Sequence, residues 1–160
     1  MYDDIIARYA AMYSVPIAWI NAVIAQESSG DPNAYRAEPQ IGDASYGLMQ
    51  VLYKTAKGLG YMGLPNGLYD PDTNIQLGTK LIGEIRRNVG DDAEAMYSAY
   101  NSGDPTAYLS DSTVASHVAS FMNRLGNMVG TTIGDNPEAS GGLGALIVVT
   151  LVFYYMSKKR

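Results

Sequence analysis

The sequence predicts a mainly α-helical domain with minimal β-structure, followed by a C-terminal transmembrane helix. Apolar residues recur at helical spacing through most of the first 130 positions, which is the pattern of amphipathic helices packed around one core. One stretch, residues 28–45, is instead rich in Gly, Pro, Asn and Asp and is typical of an irregular loop. Residues 139–157 carry no charged side chain, which is typical of a membrane-spanning segment.

Two helices are predicted at the start of the chain. The first covers Tyr2 to Met12 and the second covers Val15 to Glu27, with Ser14 as the expected N-cap of the second. Pro16 is compatible with the first turn of that helix, because its missing N–H would have no partner there. The loop of residues 28–45 follows and can hold a short hairpin.

Four further helices are predicted between residues 46 and 128. The first resumes at Tyr46-Gly47-Leu48-Met49-Gln50 and ends in the glycine-rich residues 58–63. The later helices begin at aspartate or serine, which are preferred N-caps. They are predicted over Thr73 to about Asn88 with Asp72 as the cap, from Asp91-Asp92 through Tyr100, and from Asp111 or Ser112 to about Met128.

The C-terminal segment predicts a membrane anchor. A helix of residues 139–157 would be roughly 28 Å long at about 1.5 Å per residue, close to the thickness of the hydrocarbon layer. It would bring Phe153, Tyr154 and Tyr155 beside Lys158-Lys159-Arg160, as an aromatic belt next to a cationic stop. The alternative is a buried core helix, which the glycines at 141, 142 and 144 favour. The predicted organisation is a domain of residues 1–130, a linker of residues 131–142, a transmembrane core of residues 143–156 and a basic tail of residues 157–160.

Composition narrows the chemistry that these 160 residues can perform. Apolar residues make up 47%, enough for a real core, and the absence of cysteine excludes disulfides and thiolate metal sites. A single histidine excludes a two-histidine zinc site. The formal net charge of −5 is opposite to the basic surface that nucleic acid requires. We therefore expect no metal, no cofactor and no nucleic-acid partner.

Glu27 is the first candidate for a reactive side chain. It lies three residues after Ile24 and four after Val23, so helical geometry puts it on the apolar face of its helix. Burial disfavours the ionised carboxylate and raises its pKa, which is how a glutamate becomes a proton donor near neutral pH. The alternative is a frayed last turn with Glu27 in water.

His117 is the second candidate, because Ser116 and Ser120 lie near it on a predicted helix. A nucleophilic triad would require a serine on a strained turn and an acid that orients the histidine. Neither accompanies these residues, so a surface histidine is the preferred interpretation.

Three short motifs occur in order along the chain. Glu27-Ser28 ends the apolar helix, Ser45-Tyr46-Gly47-Leu48-Met49-Gln50-Val51 follows, and Ser98-Ala99-Tyr100-Asn101-Ser102-Gly103 comes last, with Leu68 to Gly78 between the last two. With these motifs the chain resembles the soluble lytic transglycosylase (SLT) family of the lysozyme-like fold, over roughly Ile6 to Leu125. The resemblance implies a mainly α domain of the lysozyme-like α+β class with minimal β-structure.

The resemblance also implies a reaction on the glycan strands of peptidoglycan. Glu27 would protonate the β-1,4 link between N-acetylmuramic acid and N-acetylglucosamine. It would then take a proton from the sugar's own 6-hydroxyl as a 1,6-anhydro ring closes. Tyr100 would hydrogen-bond near Glu27 and the N-acetyl group, Met49 would contact a sugar ring, and Gln50 would offer amide hydrogen bonds. The substrate-binding set that the resemblance implies is Ser45, Gly47, Met49, Gln50, Tyr100 and Asn101, with Asn101 holding the cleft.

Two other functions stay open at the level of sequence. A goose-type lysozyme would use the same Glu27 but would add water to the intermediate. A structural membrane protein of a virion or secretion apparatus would bind glycan strands without cutting them, and such a protein would be expected to lack the acid.

The predicted anchor implies a membrane location with the domain acting at the cell wall. The basic tail favours the cytoplasmic side for the C-terminus. The first residues have no basic region and no long apolar run, so no secretory signal is predicted to carry the domain across. The domain is therefore expected on the wall side of the membrane without a signal that would carry it there. Delivery by a membrane-containing phage particle, or by a secretion or conjugation apparatus, would explain how it reaches that side. We expect the phage particle, with virion proteins as partners.

Overall fold

The computed structural model describes residues 2–135, which form six α-helices and one small antiparallel sheet. The helices are α1 (Asp3–Tyr13), α2 (Ile17–Glu27), α3 (Tyr53–Gly58), α4 (Pro71–Val89), α5 (Ala93–Ser102) and α6 (Ser112–Asp135). The strands are β1 (Tyr35–Glu38), β2 (Asp43–Tyr46) and β3 (Val51–Leu52), paired in the order β1-β2-β3. The prediction of a mainly helical domain with minimal β-structure is confirmed.

The junction between α1 and α2 differs from the prediction because Pro16 governs it. Ser14 does not cap α2: it ends α1 in the left-handed conformation with φ of 55°. A proline disfavours the helical conformation in the residue before it, so Val15 lies between the helices and α2 begins at Ile17.

Helix α4 begins earlier than predicted, and its cap is Asp70 instead of Asp72. The Asp70 carboxylate accepts the N–H of Thr73 at 2.9 Å. Asp72 lies within the first turn, where it accepts hydrogen bonds from Tyr9 and Arg8 of α1. Both hydrogen bonds lower the pKa of Asp72, and the bond from Tyr9 has the larger effect. They also join α1 to α4.

The largest difference from the prediction lies between β2 and β3. The sequence predicts that a helix resumes at Tyr46, whereas the structure has a turn over residues 47–50. Gly47 and Gln50 adopt left-handed backbone, with φ of 71° and 46°, and a right-handed helix cannot pass through such residues. We call residues 47–50 the cleft turn.

The core lies between α2 and the helices that follow the sheet. Helix α2 packs against α6, α5 packs against α6, and α1 packs against α4. Ile20 and Val23 of α2 are fully buried, as is Phe121 of α6. Each such side chain stabilises the fold by about 1.5–3 kcal/mol, so the end of α2 is held firmly against α5 and α6.

Helix α6 continues to Asp135, beyond its predicted end near Met128 and into the first residues of the predicted linker. Within residues 2–135, no helix is both long enough and apolar enough to cross a membrane. The rest of the predicted linker, the transmembrane core of residues 143–156 and the basic tail of residues 157–160 lie outside the described residues.

Candidate active site

Glu27 is the last residue of α2 and lies at the edge of the core. Ile20 and Val23 in the preceding turns are completely buried, whereas Glu27 is half-buried. Burial raises the pKa of Glu27 above its ordinary value of 4.5, in the direction that its apolar helix face predicts. The helical pattern continues past it, because the N–H of Ser28 bonds to the carbonyl of Ile24 at 3.2 Å. The last turn of α2 is therefore not frayed.

Tyr97 of α5 donates the hydrogen bond that holds Glu27. Its hydroxyl lies 2.6 Å from Glu27 Oε1, and the residue is 1% exposed. The Tyr97 ring stacks on Phe121 of α6 with 4.4 Å between ring centroids. None of the sequence motifs includes Tyr97. The available signal was its position three residues before Tyr100, which places both tyrosines on one face of α5.

Tyr100 lies beside the acid but uses its hydroxyl elsewhere. The hydroxyl donates to the backbone carbonyl of Met49 at 2.7 Å. Burial, and after it the negative charge of Glu27, raises the pKa of Tyr100. The resemblance implies that Tyr100 hydrogen-bonds near Glu27 and the N-acetyl group, and this stays a prediction. The hydrogen bond that reaches the carboxylate itself comes from Tyr97. Tyr100 ties α5 to the cleft turn.

Two basic side chains act on Glu27 from other elements. Burial is the largest influence on the pKa of Glu27, and Arg36 of β1 and His117 of α6 oppose it. His117 Nδ1 lies 3.4 Å from Asn101 Oδ1, so the predicted cleft residue Asn101 contacts this histidine. The sequence predicts a surface histidine at this position; in the structure His117 is half-buried and its charge acts on Glu27.

Ser28 connects the acid to the cleft turn. Its hydroxyl donates to the carbonyl of Leu48 at 2.7 Å and lies 3.2 Å from the carbonyl of Ile24 in α2. It also accepts the N–H of Gly30 at 3.1 Å. The serine that follows the acid therefore sets the distance between the end of α2 and the turn.

The cleft turn is held from α4 by Asn74, which is fully buried. The Asn74 amide donates to the carbonyls of Tyr46 and Leu68 at 2.8 and 2.7 Å, and Oδ1 accepts the N–H of Met49 at 2.8 Å. All these groups are buried or partly buried, where an unmade hydrogen bond is expensive. Asn74 was also missed as a functional residue, although it lies within the motif-bearing stretch from Leu68 to Gly78.

Gly47 is required at its position for two reasons. Its φ of 71° lies in the left-handed region, which side chains with a Cβ disfavour. A Cβ built on Gly47 would also lie 2.5 Å from Asn74 Nδ2 and 2.6 Å from the carbonyl oxygen of Leu68. Gly47 therefore allows the close approach of the turn to α4.

The Gln50 and Ser45 side chains, both assigned to substrate by the resemblance, bond within the protein. Gln50 Nε2 donates to the carbonyls of Ala34 and Gly47 at 3.1 and 3.0 Å. The Ser45 hydroxyl lies 3.2 Å from Gln50 Oε1, and Ser45 is 1% exposed. Both side chains therefore shape the turn and do not project from it.

The Met49 side chain, which the resemblance predicts to contact a sugar ring, lies in the core. It has no exposed surface, and it packs so closely on α4 that a Cβ on Gly78 would lie 2.5 Å from its sulfur. Leu48 is also fully buried. The turn directs both apolar residues inward, and Met49 contributes to the site through its backbone carbonyl and N–H.

The acid of the site is Glu27, and no cluster of metal ligands accompanies it in the described part of the chain. Within residues 2–135, no three histidine, aspartate or glutamate side chains converge as a metal site would require. The side chains that act on the Glu27 pKa are a tyrosine, an arginine and a histidine, and none is a carboxylate. Glycosidases with two carboxylates place them about 5–10 Å apart.

A family model and curated relatives match this region. The model described as "Transglycosylase SLT domain" matches residues 4–111, more than half of the chain. The soluble lytic murein transglycosylase of Escherichia coli (strain K12) is 30% identical over 109 residues, which is 64% of this chain and 16% of that protein. Membrane-bound lytic murein transglycosylase E of Buchnera aphidicola subsp. Acyrthosiphon pisum is 36% identical over 93 residues, 54% of this chain and 40% of that protein. The chain spans less than half the length of either relative.

Solved structures show the same fold. The 70 kDa soluble lytic transglycosylase of Escherichia coli matches with a TM-score of 0.57 and 26% identity, over 78% of this chain and 21% of that chain. An inactive glutamate-to-glutamine mutant of the lytic transglycosylase Slt from Pseudomonas aeruginosa matches with a TM-score of 0.63, over 90% of this chain and 25% of that chain. At 21% sequence identity, this match shows that the two folds are similar and nothing more.

Proposed function

This chain belongs to the transglycosylase SLT domain family, and we propose that its residues 1–130 form a peptidoglycan lytic transglycosylase. The substrate is the β-1,4 bond between N-acetylmuramic acid and N-acetylglucosamine, and the product carries a 1,6-anhydro ring. One observation carries the proposal: Glu27 is a half-buried carboxyl with a raised pKa, held by Tyr97 at 2.6 Å. An acid of this kind retains a proton at a pH where an exposed glutamate has lost it.

The proposed reaction uses Glu27 twice. In the first step its proton passes to the glycosidic oxygen, the C1–O bond breaks, and the carbonyl oxygen of the substrate's N-acetyl group bonds to C1. In the second step the Glu27 carboxylate takes the proton of the 6-hydroxyl, O6 bonds to C1, and the bond from C1 to the acetyl oxygen breaks. No water is consumed, and Glu27 ends the cycle protonated.

The remaining predicted site residues are proposed to frame the cleft. The Gly47 backbone brings the turn close to α4, Ser45 and Gln50 hold its shape, and Met49 anchors it in the core. Tyr100 and Asn101 lie on α5, where Tyr100 bonds to the Met49 carbonyl and Asn101 contacts His117. They are proposed to meet the N-acetyl group and the adjoining sugar. The buried positions of Ser45 and Met49 favour an indirect contribution to substrate binding.

Comparison of the wild type with Glu27→Gln tests the reaction. The substitution keeps the size of the side chain but removes the transferable proton, so clearing of a peptidoglycan gel should fall about a thousandfold. Glu84→Gln on α4, whose side chain is 41% exposed, makes the same chemical change away from the site and should clear normally. Equal clearing by wild type and Glu27→Gln would contradict the proposal. Binding without clearing by the wild type would indicate a glycan-binding structural protein.

The product distinguishes a transglycosylase from a goose-type hydrolase. Mass spectrometry of muropeptides released by the wild-type protein should show ends that are one water lighter than hydrolysed ends. Reducing ends of ordinary mass, produced by Glu27 in the same assay, would favour the hydrolase.

We further propose that residues 143–156 anchor the domain in a membrane and that a phage particle delivers it to the cell wall during genome entry. The uncharged stretch of residues 139–157 and the adjacent Lys158-Lys159-Arg160 support the anchor. The Buchnera relative is also named as membrane-bound. A Val148→Lys substitution at the centre of the stretch should abolish flotation with liposomes, because a central lysine costs about 2.5–3.5 kcal/mol there. Absence of the protein from purified virions would overturn the delivery proposal.

A further inference from the structure

We propose that Tyr97 is a positioning residue that selects Oε2 of Glu27 as the oxygen that exchanges the proton with the substrate. The inference deepens the proposed function and rests on it, since it concerns the acid of that reaction. It assigns different tasks to the two oxygens of one carboxyl group. The protein holds Oε1, and Oε2 is left for the sugar.

The Tyr97 hydroxyl is fixed by its ring. Tyr97 is 1% exposed, and its ring stacks with two aromatic neighbours, Phe121 at 4.4 Å and Tyr100 at 6.3 Å, with interplanar angles of 3° and 13°. Its hydroxyl lies 2.6 Å from Glu27 Oε1, a length typical of a hydroxyl that donates to a charged acceptor. The hydrogen bond therefore comes from a rigid donor on α5.

Tyr97 is the donor whichever charge state Glu27 adopts. Burial, and after it the negative charge of Glu27, raises the pKa of Tyr97, so the phenol keeps its proton across the working pH range. Among residues 2–135 this hydroxyl has no other acceptor, so turning away would leave it unpaired in the core. Oε1 therefore accepts from Tyr97, and the proton of neutral Glu27 resides on Oε2.

The other Glu27 oxygen is free for that task. No hydrogen bond from the described part of the chain reaches Oε2. The titratable groups that act on Glu27 or respond to its charge are Tyr97 and Tyr100 of α5, Arg36 of β1 and His117 of α6. Of these, only Tyr97 bonds directly to the carboxylate.

The hydrogen bond also matters after the proton has left Oε2. Tyr97 then stabilises the carboxylate, and it is the largest of the influences that lower the pKa of Glu27 against the effect of burial. Removing the hydroxyl should therefore raise the Glu27 pKa further. Because the first step requires protonated Glu27, activity falls as pH rises through this pKa, and the alkaline limb of the rate profile should move to higher pH.

Tyr97→Phe in the full chain tests the inference, because the ring and its stacking on Phe121 are retained. We expect kcat to fall about tenfold with KM nearly unchanged, and the alkaline limb to shift to higher pH. Tyr61→Phe is the matched control: its hydroxyl donates to the Leu64 carbonyl at 3.0 Å, away from the site, and its profile should match the wild type. A fall in kcat without a shift of the limb would overturn the inference, as would an unchanged enzyme.

A second measurement needs neither Tyr97→Phe nor peptidoglycan. In a chain labelled with ¹³C at tyrosine Cζ, the Tyr97 resonance should titrate with the pKa of Glu27, and this transition should disappear in Glu27→Gln. Absence of this titration would overturn the assigned hydrogen bond. Because no substrate is present, this result is independent of whether the proposed cleavage occurs.

Discussion

The end of α2 and the cleft turn are neighbours joined by Ser28, yet they are stabilised in opposite ways. In and around the cleft turn, the side chains of Gln50 and of Asn74 on α4 together make five hydrogen bonds with backbone groups. Glu27, at the end of α2, is half-buried and is held by one hydrogen bond. The turn is therefore held by many hydrogen bonds within the protein, whereas the Glu27 carboxyl has only the one from Tyr97 in the described part of the chain.

The difference in hydrogen bonding makes the cleft turn rigid and leaves Glu27 reactive. A fully bonded turn keeps one shape, which suits the wall of a cleft. A carboxyl that is buried with few partners keeps its proton more strongly and has an oxygen available for the substrate, which suits an acid. Truncation in the turn should therefore destabilise the fold, whereas neutralising the acid should stabilise it.

Asn74→Ala should have the largest effect on stability. It removes three hydrogen bonds to backbone groups inside the protein, so the free energy of unfolding should fall by about 3–4 kcal/mol. Urea unfolding followed by circular dichroism measures this change. Asn88→Ala at an exposed position of α4 is the control and should change stability by less than about 0.5 kcal/mol. A loss as small as the control's would mean that Asn74 does not hold the turn.

Gly47→Ala should have the next largest effect. The methyl group would meet Asn74 and Leu68 within 2.6 Å, in addition to the strain at a φ of 71°, so a loss of about 3 kcal/mol is expected. Gly60→Ala isolates the strain, because Gly60 has a φ of 95° but no atom within 4 Å of an added Cβ. It should lose only about 1 kcal/mol. Equal losses in the two variants would indicate that backbone strain, and not contact with α4, explains the glycine.

Glu27→Gln should have the smallest effect and the opposite sign. The pKa of Glu27 is raised in the folded state, so its stabilising contribution is fully present below the ordinary pKa of 4.5 and is lost as pH rises through the folded value. Replacing it should therefore increase stability at neutral pH by about 1 kcal/mol, and this gain should vanish towards pH 4. Unfolding curves of both proteins at several pH values measure the difference. A variant that is less stable than the wild type at neutral pH would show that the buried charge is well compensated.

Local pattern in the sequence accounts for the helical part of the fold and for the choice of acid. The apolar repeats predict α1, α2, α4, α5 and the start of α6 within a few residues, because amphipathic spacing acts within each helix. The place of Glu27 after Val23 and Ile24 predicts its burial and its raised pKa for the same reason.

Contacts between distant residues decided the rest. Residues 46–50 have helical spacing, but Gly47 must approach Asn74 of α4, so they form a turn. The partner of Glu27 is Tyr97, 70 positions away, and not the motif residue Tyr100, because Phe121 of α6 sets where the Tyr97 ring lies. The spacing of apolar residues in the sequence indicates which face of a helix or strand is buried. Which polar atoms pair across elements depends on how those faces pack against each other. The sequence by itself therefore determined which side chain is the acid, and only the tertiary structure decided which side chain holds it.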